Sequence, residues 1–299
     1  MAQMQILLST WNGASWLEEL LESLVQQSVS DWELLIRDDG SKDNTLKLLT
    51  EWREQHPHKV AQFEAGLHIG CTASFSRLVE WSTAPYLMFC DQDDIWFPEK
   101  IEWSLAALQN MEVVHGMELP LLVHADMAVV EQDKHLIAPS FWALRDFDLE
   151  QGKEAYLLTN VVSGCASLFN RKAAELAFPA PLEAMQHDRW LALVCAWFGK
   201  IEPLAQPLLW YRQHGLNALG AKQASWSTHH TVERVNAWSR QAEAFLQSYG
   251  AQLTHNDYET VAALANLQYV RGWERRWQII KHRFFKSGVA ANLALMLFA

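Results

Sequence analysis

Three carboxylates stand within four consecutive residues, in the run Asp91-Gln92-Asp93-Asp94, which we call the acid run. The run follows an apolar segment, residues 86–90, whose pattern predicts a buried strand. Carboxylates this close repel one another unless water or a cation neutralises them, and hard oxygen ligands suit Mg²⁺ or Mn²⁺. A helix start decorated with acids is the alternative, because Pro98 is expected to open a helix shortly afterwards. Taken alone, the acid run leaves both interpretations open.

The elements that position these residues follow an α/β pattern. Short apolar runs alternate with amphipathic segments through the first half of the chain, which predicts a mostly parallel central sheet flanked by helices. The predicted strands are residues 5–9, 32–37, 62–65 and 86–90, and the predicted helices are 16–27, 42 or 43 to 56, 71–81 and 98–108. Further along, we expect strands at 121–130, 161–170 and 208–212, a loop at 138–147 and a helix at 187–198. The pattern is helical from about residue 225, so the chain divides into a first domain, 1–220, and a helical C-terminal extension, 221–299.

Three polar clusters directly follow predicted strands. They are Thr10-Trp11-Asn12-Gly13, Asp38-Asp39-Gly40-Ser41 and the acid run. In open α/β sheets, ligands bind beyond the carboxyl ends of the strands, where neighbouring parallel strands bring their last residues together. We therefore expect the three clusters to form one ligand-binding site.

Six short motifs occur in a fixed order along the chain. They are Ser9-Thr10-Trp11-Asn12-Gly13, Arg37-Asp38-Asp39-Gly40-Ser41, Phe89-Cys90-Asp91-Gln92-Asp93-Asp94-Ile95-Trp96, Ser163-Gly164-Cys165, His187-Asp188-Arg189-Trp190 and Tyr211-Arg212-Gln213-His214-Gly215-Leu216-Asn217. This set, which covers roughly residues 4–220, resembles the family-two glycosyltransferases of the GT-A fold. Within that family, the acid run with Ile-Trp after it, followed by His-Asp and Tyr-Arg-Gln-His, looks most like bacterial rhamnosyltransferases of surface polysaccharide assembly. The resemblance makes 1–220 a GT-A catalytic domain.

The resemblance implies a division of roles around a nucleotide-sugar. Asp91 would face the ribose, and Asp93 would ligate a Mn²⁺ or Mg²⁺ ion that bridges the two phosphates of the donor. His214 is a candidate contact to the metal or the diphosphate, although a lone histidine near a strand end is more often structural. The implied nucleotide-binding residues are Thr10, Trp11, Asn12, Asp38, Asp39, Gly70, Asp91 and Gln92.

The position of Asp188 matches the general base of the family, which would deprotonate the acceptor hydroxyl as it attacks the anomeric carbon. Without the family match, an N-cap acid on the helix at 187–198 is the preferred interpretation of this residue. Arg212 would act as a charge partner of the phosphates. The residues expected on the acceptor or phosphate side are Trp96, Gly164, Cys165, His187 and Arg212.

One loop departs from the family pattern. Where relatives often have Asn-x-Gly-x-x-x-Asn-Phe, this chain has His68 and Ser74 in place of the two asparagines on either side of Gly70. The contacts that this loop makes therefore cannot be carried over from the family.

Charge and composition exclude some functions. The formal net charge of −11 argues against a nucleic-acid partner. The N-terminus has no basic, apolar leader, and no stretch reaches the roughly 18 consecutive apolar residues of a spanning helix. The four cysteines form no Cys-x-x-Cys pair, which fits a reducing compartment. These features indicate a cytoplasmic protein.

The last segment of the chain reverses its charge. Residues 269–299 carry six basic side chains against one acid, and apolar residues recur on one helical face at Trp273, Trp277, Ile280 and Phe284. Basic residues flanking a tryptophan-rich stripe are typical of a helix lying in a membrane interface. The other interpretation is a helix packed on the catalytic domain, with its basic residues solvated. Peripheral contact with the inner face of the cell membrane is thus one of two expectations.

Together these features predict an inverting, metal-dependent glycosyltransferase. L-rhamnose from a dTDP-linked donor is the first candidate for the sugar, with a UDP-linked donor as the second, and the acceptor would be a glycan or a lipid-linked intermediate of bacterial surface polysaccharide synthesis. A nucleotidyltransferase acting on a sugar phosphate is one alternative, but it would need a glycine-rich, basic N-terminal loop, which Thr10-Trp11-Asn12-Gly13 is not. A non-catalytic sugar-binding or assembly module is the other, and the intact acids Asp91, Asp93 and Asp188 argue against it.

Overall fold

A computed structural model of the chain describes residues 2–215 and 228–285. The described residues form two compact units. The first unit holds residues 2–146, 162–180 and 186–215, and the second holds 147–161, 181–185 and 228–285. The predicted domain boundary between residues 220 and 221 lies outside the described residues and stays a prediction.

The first unit is built on one sheet. Its described strands are β1 (Met4–Thr10), β2 (Trp32–Asp38), β3 (Val60–Ala65), β4 (Tyr86–Asp91), β5 (Ile95–Trp96), β6 (Leu121–Glu131), β7 (Leu136–Ala138), β8 (Ser167–Asn170) and β9 (Lys200–Gln213). Their order is β3-β2-β1-β4-β8-β6-β9-β5, with β7 paired to β6. The ladders of β1 to β4 and of β6 with β9 are parallel, whereas β8 is antiparallel to both of its neighbours. The sheet is mixed, and the prediction of a mostly parallel central sheet is confirmed.

Amphipathic helices flank this sheet. They are α1 (Leu17–Val25), α2 (Thr45–Gln55), α3 (Cys71–Trp81), α4 (Lys100–His115), α5 (Phe141–Arg145), α6 (Arg171–Ala177) and α7 (His187–Phe198). The predicted apolar stripe of α1 is buried at Leu17, Leu20, Leu21 and Leu24, which recur at the spacing of one helix face. Burial of such stripes, rather than helix propensity alone, holds short helices in place.

The second unit is helical, as expected for the C-terminal part of the chain. It contains α8 (Thr228–Tyr249), α9 (His255–Ala265) and α10 (Gly272–Lys281). Thr254 caps α9, because its side chain accepts a hydrogen bond from the backbone N–H of Asp257. Among the described residues, no helix combines the length and the apolar content that crossing a bilayer requires.

The parallel register fixes where the site can form. Thr10 lies opposite Asp38 on β2, and the preceding residue of β1 lies opposite Asp91 on β4. The three strands β2, β1 and β4 are adjacent, so they end at the same edge of the sheet. This register brings the three polar clusters of the sequence to one edge, as predicted.

Two predicted elements have different bounds in the structure. The helix expected at 98–108 begins two residues after Pro98 and runs on to His115 as α4. The strand expected at 208–212 extends over Lys200–Gln213, because both ends of this segment pair in parallel with β6, with two register shifts between them.

Two other predictions about local structure are wrong. The loop expected at 138–147 contains α5, whose first N–H groups at Phe141 and Trp142 donate to the carboxylate of Asp126 on β6. The strand expected at 161–170 is reduced to β8, because the residues before it form a short 3₁₀ helix, Gly164–Ala166. In the first case the stabilising partner is distant in sequence, so no local pattern shows it.

Replacement of Gly199 by alanine should destabilise the first unit. A Cβ at this position, where α7 passes into β9, would lie 1.8 Å from the backbone oxygen of Pro120. The backbone must shift to relieve that overlap, so we expect Gly199→Ala to lower the free energy of unfolding by about 2 kcal/mol, measured by urea denaturation. Gly215→Ala is the matched control, since its Cβ would meet no described atom within 4 Å. Equal stability of the two variants would contradict the described packing.

Candidate active site

The turn after β2 is organised by Asp38. This buried carboxylate accepts hydrogen bonds from the backbone N–H groups of Gly40 and Ser41, at 3.1 and 2.9 Å. It also accepts one from the hydroxyl of Thr10 at 2.9 Å, which ties β1 to β2 at the site edge. Both oxygens of Asp38 accept hydrogen bonds from the protein. Asp38 therefore fixes the loops that would form the walls of the predicted nucleoside pocket.

The neighbouring carboxylate of Asp39 anchors the loop that departs from the family pattern. It accepts hydrogen bonds from the backbone N–H groups of Ile69 at 2.8 Å and Gly70 at 2.9 Å. The guanidinium of Arg37 pairs with it at 2.5 Å, and Nδ1 of His68 lies 2.9 Å from its Oδ2. His68, which stands where relatives often have an asparagine, is thus a partner of this acid. Gly70 adopts a φ of +88°, which favours glycine.

The side chain of Gln92 joins the acid run to the loop after β1. Its amide accepts from the backbone N–H of Trp11 at 2.8 Å and donates to the Trp11 carbonyl at 3.0 Å. A Cβ on Gly13 would lie 2.1 Å from the Gln92 Oε1, so a larger residue would displace this amide from its present position. Asn12 completes the connection, since its backbone N–H donates to the hydroxyl of Ser41 at 2.8 Å. The three clusters thus hold one another in place.

The acid run concentrates negative charge, and few hydrogen-bond donors stabilise its carboxylates. One ligand atom each from Asp91, Asp94 and Cys165 lie within 4.8 Å of one another. Asp94 is buried, and neither of its oxygens finds a hydrogen-bond donor besides the Cys165 thiol. Burial, with repulsion from Asp93, raises the pKa values of both Asp91 and Asp94. The run precedes the two-residue strand β5 and not a helix, so the interpretation as a decorated helix start is wrong.

An imidazole faces the acid run at Asp93. The Nε2 of His214 lies 2.8 Å from the Asp93 Oδ2. The His214 ring is stacked on Trp16, with centroids 3.9 Å apart and planes 12° from parallel. The Asp93 carboxylate and the His214 imidazole thus contact each other near the under-satisfied carboxylate of Asp94. Carboxylate oxygens are the ligands that suit Mn²⁺ or Mg²⁺, and the imidazole nitrogen is a further ligand atom. The residues present therefore fit a divalent cation, which Asp93 and His214 would hold.

The guanidinium of Arg212 is committed within the protein. Its Nε donates to the backbone carbonyl of Asp93 at 3.1 Å and its Nη1 to that of Gln132 at 2.9 Å, while Nη2 pairs with the carboxylate of Glu19. The hydrogen bond to the Asp93 carbonyl holds the backbone of the acid run in place. The expected phosphate contact stays a prediction, and it would require Arg212 to exchange one of these partners.

The predicted base, Asp188, lies at the second residue of α7. Gln186 is the N-cap of this helix, so the interpretation of Asp188 as an N-cap is wrong. Its carboxylate accepts hydrogen bonds from the backbone N–H groups of Gly164 at 3.0 Å and Arg189 at 2.6 Å. Burial raises its pKa to about 6, although these two hydrogen bonds oppose the shift. Asp188 also lies close enough to Asp91 for their charges to repel, so it belongs to the same edge.

The remaining residues expected on the acceptor side are buried. Trp96 and Cys165 are almost fully buried, and that burial removes both from direct contact with an acceptor in this structure. His187 is also buried, with its ring stacked on Phe75 at 4.0 Å, and burial lowers its pKa to about 3 so that the imidazole is neutral. A Cβ on Gly164 would lie 2.9 Å from the His187 Nε2, so glycine is needed for α7 to approach this closely.

Lys100 is a residue of this site that the sequence analysis missed. Its buried ammonium donates to the carbonyl of Cys165 at 2.5 Å and lies 3.2 Å from the centre of a Trp96 ring. Burial lowers its pKa to about 8, and the charges of Asp91 and Asp94 oppose that shift. One feature of the sequence indicated that Lys100 is unusual. It stands in the first turn of a predicted helix, where the helix dipole disfavours a positive charge, so an interaction elsewhere must stabilise it.

Comparison with known proteins finds similarity to one family model and to individual relatives. The model of the family described as glycosyl transferase family 2 matches residues 5–177. An uncharacterized glycosyltransferase of Nostoc sp. is 28% identical over 218 residues, 72% of this chain and 66% of the relative. The dTDP-rhamnosyl transferase RfbG of Shigella flexneri is 34% identical over 105 residues, but these make up 34% of this chain and 36% of that protein. The chain thus spans less than two thirds of the length of these curated relatives.

A longer but weaker match covers most of both chains. The putative teichuronic acid biosynthesis glycosyltransferase TuaG of Bacillus subtilis is 23% identical over 238 residues, 77% of this chain and 88% of the relative.

Two solved structures share the fold. S. aureus TarS in complex with UDP-GlcNAc aligns with a TM-score of 0.57 at 16% identity, over 98% of this chain and 78% of that one. The mannosyltransferase PcManGT of Pyrobaculum calidifontis, in complex with GDP-Man and Mn²⁺, aligns with a TM-score of 0.55 at 13% identity, over 98% and 78%.

Neutralising Asp188 should stabilise the protein at alkaline pH. Its pKa is raised from 3.8 to about 6, so the folded state binds this proton more tightly than the unfolded state does. The ionised carboxylate therefore costs stability above pH 6 and costs nothing well below pH 4. We expect Asp188→Asn to be about 1 kcal/mol more stable than the wild type at pH 8, an advantage that disappears toward pH 4 in urea unfolding curves.

The surface variant Asp148→Asn is the matched control for loss of one negative charge. If the difference in free energy of unfolding between Asp188→Asn and the wild type were the same at every pH, the described burial of this carboxylate would be incorrect.

Proposed function

The chain belongs to glycosyl transferase family 2, and from that premise we propose that it transfers a sugar from a nucleotide-sugar to an acceptor hydroxyl, with inversion and with a divalent cation bound. Membership of the family and the GT-A fold, both predicted from the six motifs, are confirmed. The observation that carries the proposal is the meeting of the Asp93–His214 pair and the raised-pKa carboxylate of Asp188 at one sheet edge.

The donor end of the site would be formed by the interlocked loops. Asp91 lies at the end of β4, in register with the last residues of β1 and two residues before Asp93, and it would contact the ribose. Asp93 and His214 would hold Mn²⁺ or Mg²⁺. When bound, such a cation supplies Lewis-acid stabilisation of the charge that develops on the departing nucleoside diphosphate. Trp16 restricts the His214 ring to the orientation in which its Nε2 points at Asp93.

The acceptor end would be formed around Asp188. Its pKa of about 6 leaves the carboxylate ionised at neutral pH and makes it a stronger base than an ordinary aspartate. The N–H groups of Gly164 and Arg189 hold the carboxylate in one orientation, so that it can take the proton of the acceptor hydroxyl as that oxygen attacks the anomeric carbon. His187 remains neutral beside it and adds no charge that would lower its basicity.

We further propose L-rhamnose as the sugar and dTDP-rhamnose as the donor, with a UDP-linked sugar as the alternative. The similarity to a protein named dTDP-rhamnosyl transferase supports this choice. The acceptor would be a glycan or a lipid-linked intermediate of surface polysaccharide synthesis, and the similarity to a protein named for teichuronic acid biosynthesis supports that class. Transfer would take place in the cytoplasm, at the inner face of the cell membrane.

Loss of either member of the Asp93–His214 pair should remove metal binding. We expect Asp93→Ala and His214→Ala to weaken Mn²⁺ binding, measured by titration calorimetry in the presence of dTDP, by at least about tenfold, because each loses one of two protein ligands. Transfer measured with the same proteins should fall by at least about a hundredfold.

The exposed pair Asp133 and His135 is the matched control, since its carboxylate and imidazole also lie in contact, 2.7 Å apart, on the β6–β7 hairpin. Asp133→Ala and His135→Ala should leave Mn²⁺ affinity unchanged. Unchanged affinity in Asp93→Ala and His214→Ala as well would mean that the cation, if bound, is held elsewhere.

A thermal-shift screen of nucleotide-sugars tests the donor. Ligand binding to the folded state raises the melting temperature, so dTDP-rhamnose with Mn²⁺ should raise it by several degrees, and by more than UDP-GlcNAc or GDP-mannose. A larger shift with a UDP-sugar would overturn the proposed donor but not glycosyl transfer. No shift with any nucleotide-sugar would overturn both.

A further inference from the structure

Helix α10 presents an aromatic face to solvent. Trp273 is 75% exposed, Trp277 48% and Ile280 46%, and we call these three residues the α10 face. The two tryptophan rings stack with centroids 5.9 Å apart. Their spacing of four and three residues places them on one side of the helix, as predicted from the sequence. Large apolar side chains, whose removal from water is favourable, are thus clustered at the surface.

The opposite side of α10 is already used for packing. Ile279 is fully buried, and the buried guanidinium of Arg275 donates to the carbonyl of Val270 at 2.9 Å. Phe284, predicted to share the exposed stripe, is buried instead, because it follows the end of α10 and no longer obeys the helical spacing. The helix is therefore held in its own unit by one side, and the α10 face is not needed for that packing.

The surroundings of the α10 face are basic, although the chain as a whole has a net charge of −11. Glu274 is the one acid in the segment 269–286. The basic residues of that segment are Arg271, Arg275, Arg276, Lys281, Arg283 and Lys286. Of these, Arg271, Lys281 and Arg283 are exposed. Positive charge around exposed tryptophan is complementary to a surface that is apolar inside and negatively charged outside.

We propose that the α10 face docks on an anionic lipid surface. Trp273 and Trp277 lie in the boundary between headgroups and acyl chains, where the amphipathic indole ring is favoured, and the basic residues lie against lipid phosphates. A second copy of the chain fits less well, since a symmetric dimer through this face would bring two basic surfaces together. The inference deepens the proposed function, on which its purpose rests: it places the enzyme where a lipid-linked acceptor is found.

Co-sedimentation of the full-length protein with lipid vesicles tests the proposal. Binding is expected to vesicles of phosphatidylcholine mixed with phosphatidylglycerol, to be weaker with phosphatidylcholine alone, and to decrease with salt. Trp273→Ser with Trp277→Ser should lower binding to the mixed vesicles by about tenfold or more, because both interfacial anchors are lost. Trp103→Ser, which removes an exposed tryptophan of the first unit, is the matched control and should leave binding unchanged.

A charge variant provides an independent test. Replacing Arg271, Lys281 and Arg283 by glutamine should abolish the preference for anionic vesicles. The matched control replaces Lys47, Arg77 and Lys172 by glutamine, which removes the same charge from exposed positions of the first unit.

Three results would overturn the proposal: no binding to vesicles, equal binding of variants and controls, or a dimer in solution that is lost with the two tryptophans. Vesicle binding needs neither donor nor metal, so its failure would leave the proposed glycosyl transfer untouched. Conversely, the tryptophan variant should transfer sugar to a water-soluble acceptor at the wild-type rate.

Discussion

Mutual repulsion among carboxylates at one sheet edge is the constraint on which this structure depends. The parallel register of β2, β1 and β4 brings Asp38 and Asp91 to that edge, and the acid run and α7 add Asp93 and Asp188. Burial raises the pKa of Asp188, and burial together with repulsion from Asp93 and Asp188 raises that of Asp91, so both groups are ionised at a cost in free energy. Such a concentration of charge lowers stability and favours the binding of a cation and of an acceptor proton.

Several parts of the fold offset that repulsion, and each comes from a different element. Lys100 at the start of α4 places a buried ammonium beneath the acid run. His214 faces Asp93 at the end of β9, and Trp16 at the start of α1 holds the imidazole in place. The backbone of Gly164 supplies an N–H to Asp188 at a distance that a larger residue would prevent. The sheet and its helices thus act mainly as a frame that keeps these groups at fixed distances.

Much of this arrangement follows from local sequence pattern. Alternating apolar and amphipathic segments predicted the parallel strands, and strand ends then located Thr10, Asp39 and Asp91, because neighbouring parallel strands must end together. What could not be predicted depends on partners distant in sequence. The guanidinium of Arg212 is bound by Glu19, which no motif indicates, and α5 exists because Asp126 accepts its first N–H groups. A buried lysine such as Lys100 looks like a surface residue until its neighbours are known.

The proposed transfer depends most on a divalent cation held by Asp93 and His214, at the site that also contains Asp188. Anomalous scattering at the manganese edge, from crystals grown with Mn²⁺ and dTDP, locates the ion without reference to activity. A single strong peak is expected within ligand distance of the Asp93 carboxylate and the His214 Nε2. A peak at the exposed cluster of Glu131, Asp133 and His135 in its place, or no peak at the acid run, would contradict it.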